Sequence, residues 1–333
     1  MNATPDHPEL DQLTADVAAL HGRIGLDPAA RPPERRDRID IRFAAAAARH
    51  PTRVCTRDTA QQSTYLELDW LADDIARRLS GRTGPGSAVA VRARRTRTAP
   101  AAVVGALRTG AAVLPLEPGH HAGLQEHLMR DAGVEMVVSD SGLLRDEIPL
   151  AKAGGYVIAA RPETASGREI PPGTAFLALP PAGGDPGRAL TVGTVTHGDV
   201  LSWVDAVVPM LESGPDEVWT YFHSLSLDLG MREIWAPLLC GARAVVVDRD
   251  TASDARAFAR LLAEEQVSVV TQLPSAFARL AAAARVTRTS LPALRHVLLC
   301  GEPLDTAALA DWRDAHIAPQ AVVWDVSGPP TAL

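Results

Sequence analysis

Lysine is nearly absent from this 333-residue chain: Lys152 stands alone, and every other side chain counted as basic is an arginine. Chemistry that needs an ammonium side chain at any other position is excluded. Cysteine is equally sparse. Cys55, Cys240 and Cys300 are far apart and form no C-x-x-C, which excludes a disulfide framework and a zinc knuckle and points to a reduced, cytoplasmic setting. No apolar run reaches the ~18 residues of a membrane span. The opening MNATPDHPEL has no basic stretch followed by an apolar one, so neither a membrane segment nor a signal peptide is expected. Excess positive charge is missing as well. With 33 basic against 40 acidic side chains the net charge is −7, which gives no electrostatic pull toward nucleic acid or an anionic membrane. What remains is a globular composition, 46% hydrophobic and 22% charged, which excludes a disordered or fibrous chain and leaves room for about two domains.

Residues 1–38 stand apart. Leu10, Leu13, Val17, Leu20 and Ile24 recur at alternating spacings of three and four, the stripe of an amphipathic helix. Such a stripe serves either to pack on the rest of the chain or to dock a partner or a second copy. RPPERRDR at 31–38 comes next as a charged, proline-bearing linker. From Ile39 onward short apolar runs alternate with helical patterns. Helices are expected at 43–49, 65–79, 99–109 and 123–132, and buried strands at 88–92, 111–115 and 135–139. After a join near 196–215 the rhythm resumes. Strands are expected at 218–222, 244–247, 267–271, 297–299 and 321–325, with helices at 234–239, 255–265, 274–284 and 306–315. The alternation predicts two successive α/β subdomains with mostly parallel sheets, 39–195 and 196–333.

Seven short blocks occur in a recognisable order. They are STYLELDWLADDIARRL at 63–79, LRTGAAVLPLEP at 107–118, VTHGDV at 195–200, FHSLSLDLGMREIWAPLLCGARAVVV at 222–247, QLPSAFARLA at 272–281, LRHVLLCGEPLD at 294–305 and WDVSGPP at 324–330. Together they resemble the adenylation domains of nonribosomal peptide synthetases, within the adenylate-forming superfamily, from about residue 39 to the end. The resemblance implies two stacked flavodoxin-like α/β subdomains of an adenylation-domain core, without its barrel subdomain or its C-terminal lobe. It also implies a chemistry: family members activate an amino or aryl acid with ATP and Mg²⁺ as an acyl-adenylate and load it onto a carrier-protein thiol.

The residues at the matching positions supply that chemistry only in part. A triphosphate clamp needs N–H donors, hydroxyls and a cation. The stretch PPAGGDPGRALTVGTVTH at 180–197 has Pro180, Pro181 and Pro186, which lack an N–H, an acid at Asp185, and Arg188 as its one cation. By the resemblance, Gly183, Gly184 and Arg188 are the remnant of a nucleotide loop, and His197, Glu302, Asp325 and Gly328 stand at other nucleotide positions. Aligned on Gly328, the family's tyrosine, threonine and glutamate are replaced by Ser327, Pro330 and Thr331. Ring stacking, a phosphate hydroxyl and a Mg²⁺ ligand are thereby lost together.

The acyl pocket is better kept. By the same resemblance Asp228 stands where family members hold the substrate's α-amino group. It serves either as that ligand or as an ion-paired or capping residue, with Arg232 nearby to neutralise it. The pocket is expected to draw on His223, Thr271, Leu299 and Gly301. His120, His121 and His127 have no acidic or thiol partner at ligand spacing, so no metal site is expected. Cys240 and Cys300 read as buried apolar fillers.

The functional expectation is a relative that does not adenylate and works by binding, as a partner or scaffold in nonribosomal peptide biosynthesis, with no cofactor. Its partner is expected to be a synthetase, a carrier protein, a tailoring enzyme or a second copy, and neither nucleic acid nor membrane. The alternative is a split amino-acid adenylating ligase completed by a partner in trans, with ATP and Mg²⁺ bound and Arg188 serving the phosphates.

Overall fold

The computed structural model describes residues 37–161, 169–178, 192–302 and 306–326. The amphipathic stretch of 1–36 and the nucleotide-loop stretch of 180–191 lie outside the described residues. The chain begins with α1 (Ile39–Arg49), β1 (Val54–Arg57), β2 (Gln62–Thr64), α2 (Tyr65–Leu79), β3 (Ala88–Arg92) and α3 (Ala99–Arg108). It continues through β4 (Ala112–Leu116), α4 (Ala122–Asp131), β5 (Val134–Ser139), β6 (Ile148–Ala153), β7 (Tyr156–Ala160), β8 (Thr174–Ala178) and β9 (Gly193–Thr196). Next come α5 (His197–Met210), β10 (Val218–Tyr221), α6 (Asp228–Cys240), β11 (Arg243–Val246), α7 (Arg249–Ser253) and α8 (Ala255–Glu264). The last elements are β12 (Val269–Gln272), α9 (Pro274–Thr287), β13 (His296–Leu299), α10 (Thr306–Asp314) and β14 (Val322–Asp325).

The strands form two seven-stranded sheets, ordered β6-β7-β5-β3-β4-β8-β9 and β14-β13-β12-β10-β11-β1-β2. In the first, β3 runs parallel to β4 and β5, and β4 parallel to β8, while β6, β7 and β9 are antiparallel flanks. In the second, every neighbouring pair from β14 to β1 is parallel, and β2 folds back on β1. Parallel strands covered on both faces read as continuous apolar runs, and β3, AVAVR, is buried at all five positions. Its Val89 and Val91 join the core between the sheets, whereas Ala88 and Ala90 pack with Leu128 and Met129 of α4. The second sheet repeats this: Val269 and Leu298 face the inter-sheet core, and Val270, Val297 and Leu299 pack with Phe277 and Trp312 on the outer side. Five layers result, with α1, α2, α3, α5 and α6 filling the space between the sheets.

The middle layer dictates its own composition. α3 is buried from Ala99 to Leu107, so it is made of small and apolar residues. A Cβ on Gly105 would lie 2.8 Å from the Ala72 carbonyl oxygen, so the glycine permits close approach to α2. α2 starts in a capping box in which Thr64 accepts from the Glu67 N–H and Glu67 accepts from the Thr64 N–H. Its buried stripe is Leu68, Ala72, Ile75 and Leu79. The Tyr65 hydroxyl donates to the Ala242 carbonyl at 2.8 Å, tying α2 to the turn after α6.

Several expectations change. The sheets do not divide the chain at residue 195, because the β1–β2 hairpin adds to the edge of the second sheet through β11. The join near 196–215 is the helix α5, and α6 starts at Asp228 rather than at 234. Short antiparallel strands such as β6, with Pro149 and mostly exposed positions, carry no buried apolar run by which to be recognised. Cys300 is buried as expected, but Cys240 is only partly so. Among the described residues no helix is long and apolar enough to cross a membrane.

α1 is fastened at its start by His197, the first residue of α5. The Ile39 N–H donates to His197 Nδ1 at 3.2 Å, so the ring must be neutral there. Burial, helped by the nearby Arg38 charge, lowers the His197 pKa from 6.5 to about 4. The unfolded chain takes up the proton near its ordinary value and the native state resists it. Stability is therefore full above about pH 6.5 and falls, by on the order of 2–3 kcal/mol, as the pH drops toward about 4. Urea midpoints measured across that window are expected to show this slope, and His197→Gln is expected to flatten it.

Candidate ligand-binding crevice

In each sheet one strand has its two successors in the chain on opposite sides. β3 lies between β4 and β5, and β10 between β11 and β12. Such a reversal opens a crevice beyond the carboxyl end of the strand, because the connections leave in opposite directions. The two carboxyl ends meet. Arg95, in the segment after β3, places its guanidinium over the Phe222 ring, 5.9 Å from the centroid, and Phe222 is the first residue after β10.

A buried carboxylate shapes the β10 end. Glu233 of α6 accepts the Phe222 N–H at 3.0 Å and the His223 N–H at 2.7 Å on one oxygen, Oε2. His223 Nδ1 lies 3.1 Å from that same oxygen, and the Glu233 side chain is fully buried. A carboxylate is tolerated there because fixed N–H donors replace its water. Its second oxygen, Oε1, has no hydrogen-bond partner among the described residues. The intervening turn is closed by the Leu227 N–H on the Ser224 carbonyl at 3.0 Å and by the Ser226 N–H on Ser224 Oγ at 3.1 Å. This turn folds so tightly on α6 that a Cβ on Gly230 would stand 2.0 Å from the Ser224 carbonyl oxygen.

The remaining candidates separate. Asp228 opens α6, but its side chain lies outside the described part of the structure. Arg232 lies over Trp203, 5.6 Å from the ring centroid. Thr271, at the end of β12, is buried, and strand alternation puts it on the inter-sheet face with Val269. Leu299 does not join it. Leu299 packs in the outer cluster with Phe277 and Trp312, whereas its neighbours Leu298 and Cys300 belong to the inter-sheet core. The side-chain period of two moves the wall by one residue. Gly301 comes next, in the left-handed region at φ +84°.

The expected nucleotide positions are also dispersed. His197 is engaged with α1. Glu302 accepts the Ser275 N–H at 2.9 Å in the first turn of α9. That backbone bond, together with a side-chain bond from Ser275, holds its carboxyl below the usual range. Asp325 ends β14, in register with Leu299. Gly183, Gly184, Arg188 and Gly328 lie outside the described residues. His121 caps α4 by accepting the Gly123 N–H at 3.2 Å. Among the described residues no group of three or more His, Cys, Asp or Glu side chains could hold a metal ion.

The sequence patterns do not single out Arg95, Phe222 or Glu233. The one available signal is an acid, Glu233, immediately before the apolar run of 234–240.

The sequence matches the AMP-binding enzyme family over residues 43–171 and 194–327. It is 27% identical over 283 residues to syringomycin synthase SyrB1 of Pseudomonas syringae pv. syringae, a match covering 82% of this chain and 45% of that protein. The chain thus spans less than half the length of this relative. Its fold is similar to that of the nonribosomal peptide synthetase FmoA3 in an AMPPNP-bound crystal structure. That similarity has a TM-score of 0.75 and 24% identity, over 94% of this chain and 33% of that one. It is also similar to the Klebsiella oxytoca NpsA N-terminal subdomain, with a TM-score of 0.67 and 16% identity, over 85% of this chain and 70% of that one. At these identities the structures establish the fold, that of nonribosomal peptide synthetase adenylation domains.

Removing the Glu233 carboxylate leaves the backbone N–H groups of Phe222 and His223 without their acceptor. Glu233→Ala is expected to lower stability by about 2–4 kcal/mol, and Glu233→Gln by less, read as urea midpoints. Gly230→Ala is expected to displace the turn at 224–227, seen as changed amide shifts there and a loss of about 1–3 kcal/mol.

Proposed function

The chain belongs to the AMP-binding enzyme family, and from that premise we propose that it serves nonribosomal peptide assembly as a binding component rather than as an adenylating enzyme. Its ligand is a small amino or aryl acid, held in the crevice where the two sheets' carboxyl ends meet. Its partner is a synthetase, a carrier protein or a second copy.

The observation that carries this reading is the unequal make-up of the crevice. The wall toward the acyl side has the buried Thr271, Leu298 and Cys300 beside the turn fixed by Glu233. The side that has to handle triphosphate and Mg²⁺ is poor. The sole lysine, Lys152, lies on β6 at the outer edge of the first sheet, three strands from β3. Glu302, at another of the nucleotide positions, is engaged by α9. The sequence around 180–188 adds three prolines and Asp185, and Pro330 and Thr331 stand in place of a hydroxyl and a carboxylate. Catalysis of adenylation relies on preorganised charge against the developing phosphates, and these positions supply little of it.

Amino-acid-dependent exchange of labelled pyrophosphate into ATP tests the reading. The purified chain is expected to remain at buffer background with each amino acid in turn. Exchange by the chain alone overturns the proposal. Exchange that arises only on adding a second polypeptide replaces it with a ligase assembled in trans.

A further inference from the structure

We infer that Arg95 is the anion-binding end of the crevice and receives the carboxylate of a small organic acid. The inference rests on the crevice being a ligand site, and it is independent of whether ATP is used.

Four arginines crowd the end of β3 and the segment after it. Arg92 is buried and donates to Glu147 at 2.9 Å. Arg94 pairs with Asp140 at 3.6 Å, and Arg97 with Asp58 at 3.8 Å. Arg97 also donates to Ser63 Oγ at 2.6 Å. Arg95 differs. It is half-buried, and among the described residues no carboxylate and no hydrogen-bond acceptor engages its side chain. Its contact is the face of Phe222 across the junction of the two sheets. A guanidinium placed over a ring keeps its five in-plane N–H donors for another group. Those donors are therefore available to an acceptor that arrives with the ligand.

The chemistry of the guanidinium selects the class. A carboxylate matches its planar fork, with two parallel N–H···O bonds, and one guanidinium offsets one negative charge rather than several. The Arg95–Phe222 contact bridges the carboxyl ends of the two sheets.

Calorimetric titration of the full chain with benzoate, a singly charged aryl acid, tests this, with pyrophosphate as the polyanionic comparison. The wild-type chain is expected to bind benzoate more tightly than pyrophosphate. Arg95→Gln is expected to weaken benzoate binding by about tenfold or more, and Arg95→Lys, which keeps the charge but not the fork, by a smaller factor. The exposed Arg82, changed to Gln, is expected to leave binding intact. Unliganded melting temperatures within about 2 °C of wild type would separate a lost subsite from a lost fold. Should Arg95→Gln unfold the chain, the Arg95→Lys titration decides alone. No benzoate binding, equal binding by wild type and the Arg95 variants, or an equal loss in Arg82→Gln overturns the proposal. Tighter, Arg95-dependent binding of pyrophosphate overturns the carboxylate assignment. A positive exchange assay would remove the non-adenylating reading and leave this subsite untouched.

Discussion

The buried carboxylate of Glu233 decides where β10 ends and how the chain leaves it. One oxygen collects the N–H groups of Phe222 and His223, so the chain must turn at that point instead of extending the strand. The turn then has to lie against the first residues of α6, and it does so because residue 230 has no side chain. Phe222 is thereby held at the mouth of the crevice, where Arg95 reaches it from the other sheet. A charge in the protein interior is costly unless donors are fixed around it. Here the donors are backbone groups, so the charge and the local fold require one another.

That arrangement depends on how the sheets are stacked. Both carry their reversal strand in the interior, β3 in one and β10 in the other, and five helices lie between them. Close packing of this middle layer sets how far apart the carboxyl ends can be. Gly105 and Ala72 bring α3 onto α2, the Tyr65 hydroxyl joins α2 to the end of α6, and His197 fastens α1 to α5. None of these residues touches the crevice, but each determines the position of an element that lines it. The near absence of lysine gives the same picture in electrostatic form. Arginine is used throughout for ion pairs, and its planar fork suits carboxylates in pairs such as Arg92 with Glu147.

Much of this is legible in the residues for an identifiable reason. Strands buried on both faces, such as β3 and β4, are short unbroken apolar runs, and α2 advertises itself through its capping box and its stripe. The parallel scaffold can be read from those signals, as can the order of family blocks. The antiparallel strands β6 and β9 cannot, because half-exposed strands with polar residues or Pro149 look like loops. The β1–β2 hairpin escapes sequence reasoning because strand pairing across nearly 190 residues, Thr56 with Ala244, leaves no local trace. Leu299, expected in the pocket, packs in the outer cluster, a facing that a shift of one residue along a strand reverses.

Local pattern by itself therefore determined the class of fold and the family, since both depend on residue types and short spacings. Only the tertiary structure decided which side chains share the crevice. Phe222 and Arg95 are brought together by two sheets stacked through a common layer of helices, and Glu233 becomes a structural anion because α6 carries it beneath the end of β10. Such neighbours are set by packing between elements distant in the chain, a geometry that no short window of sequence encodes.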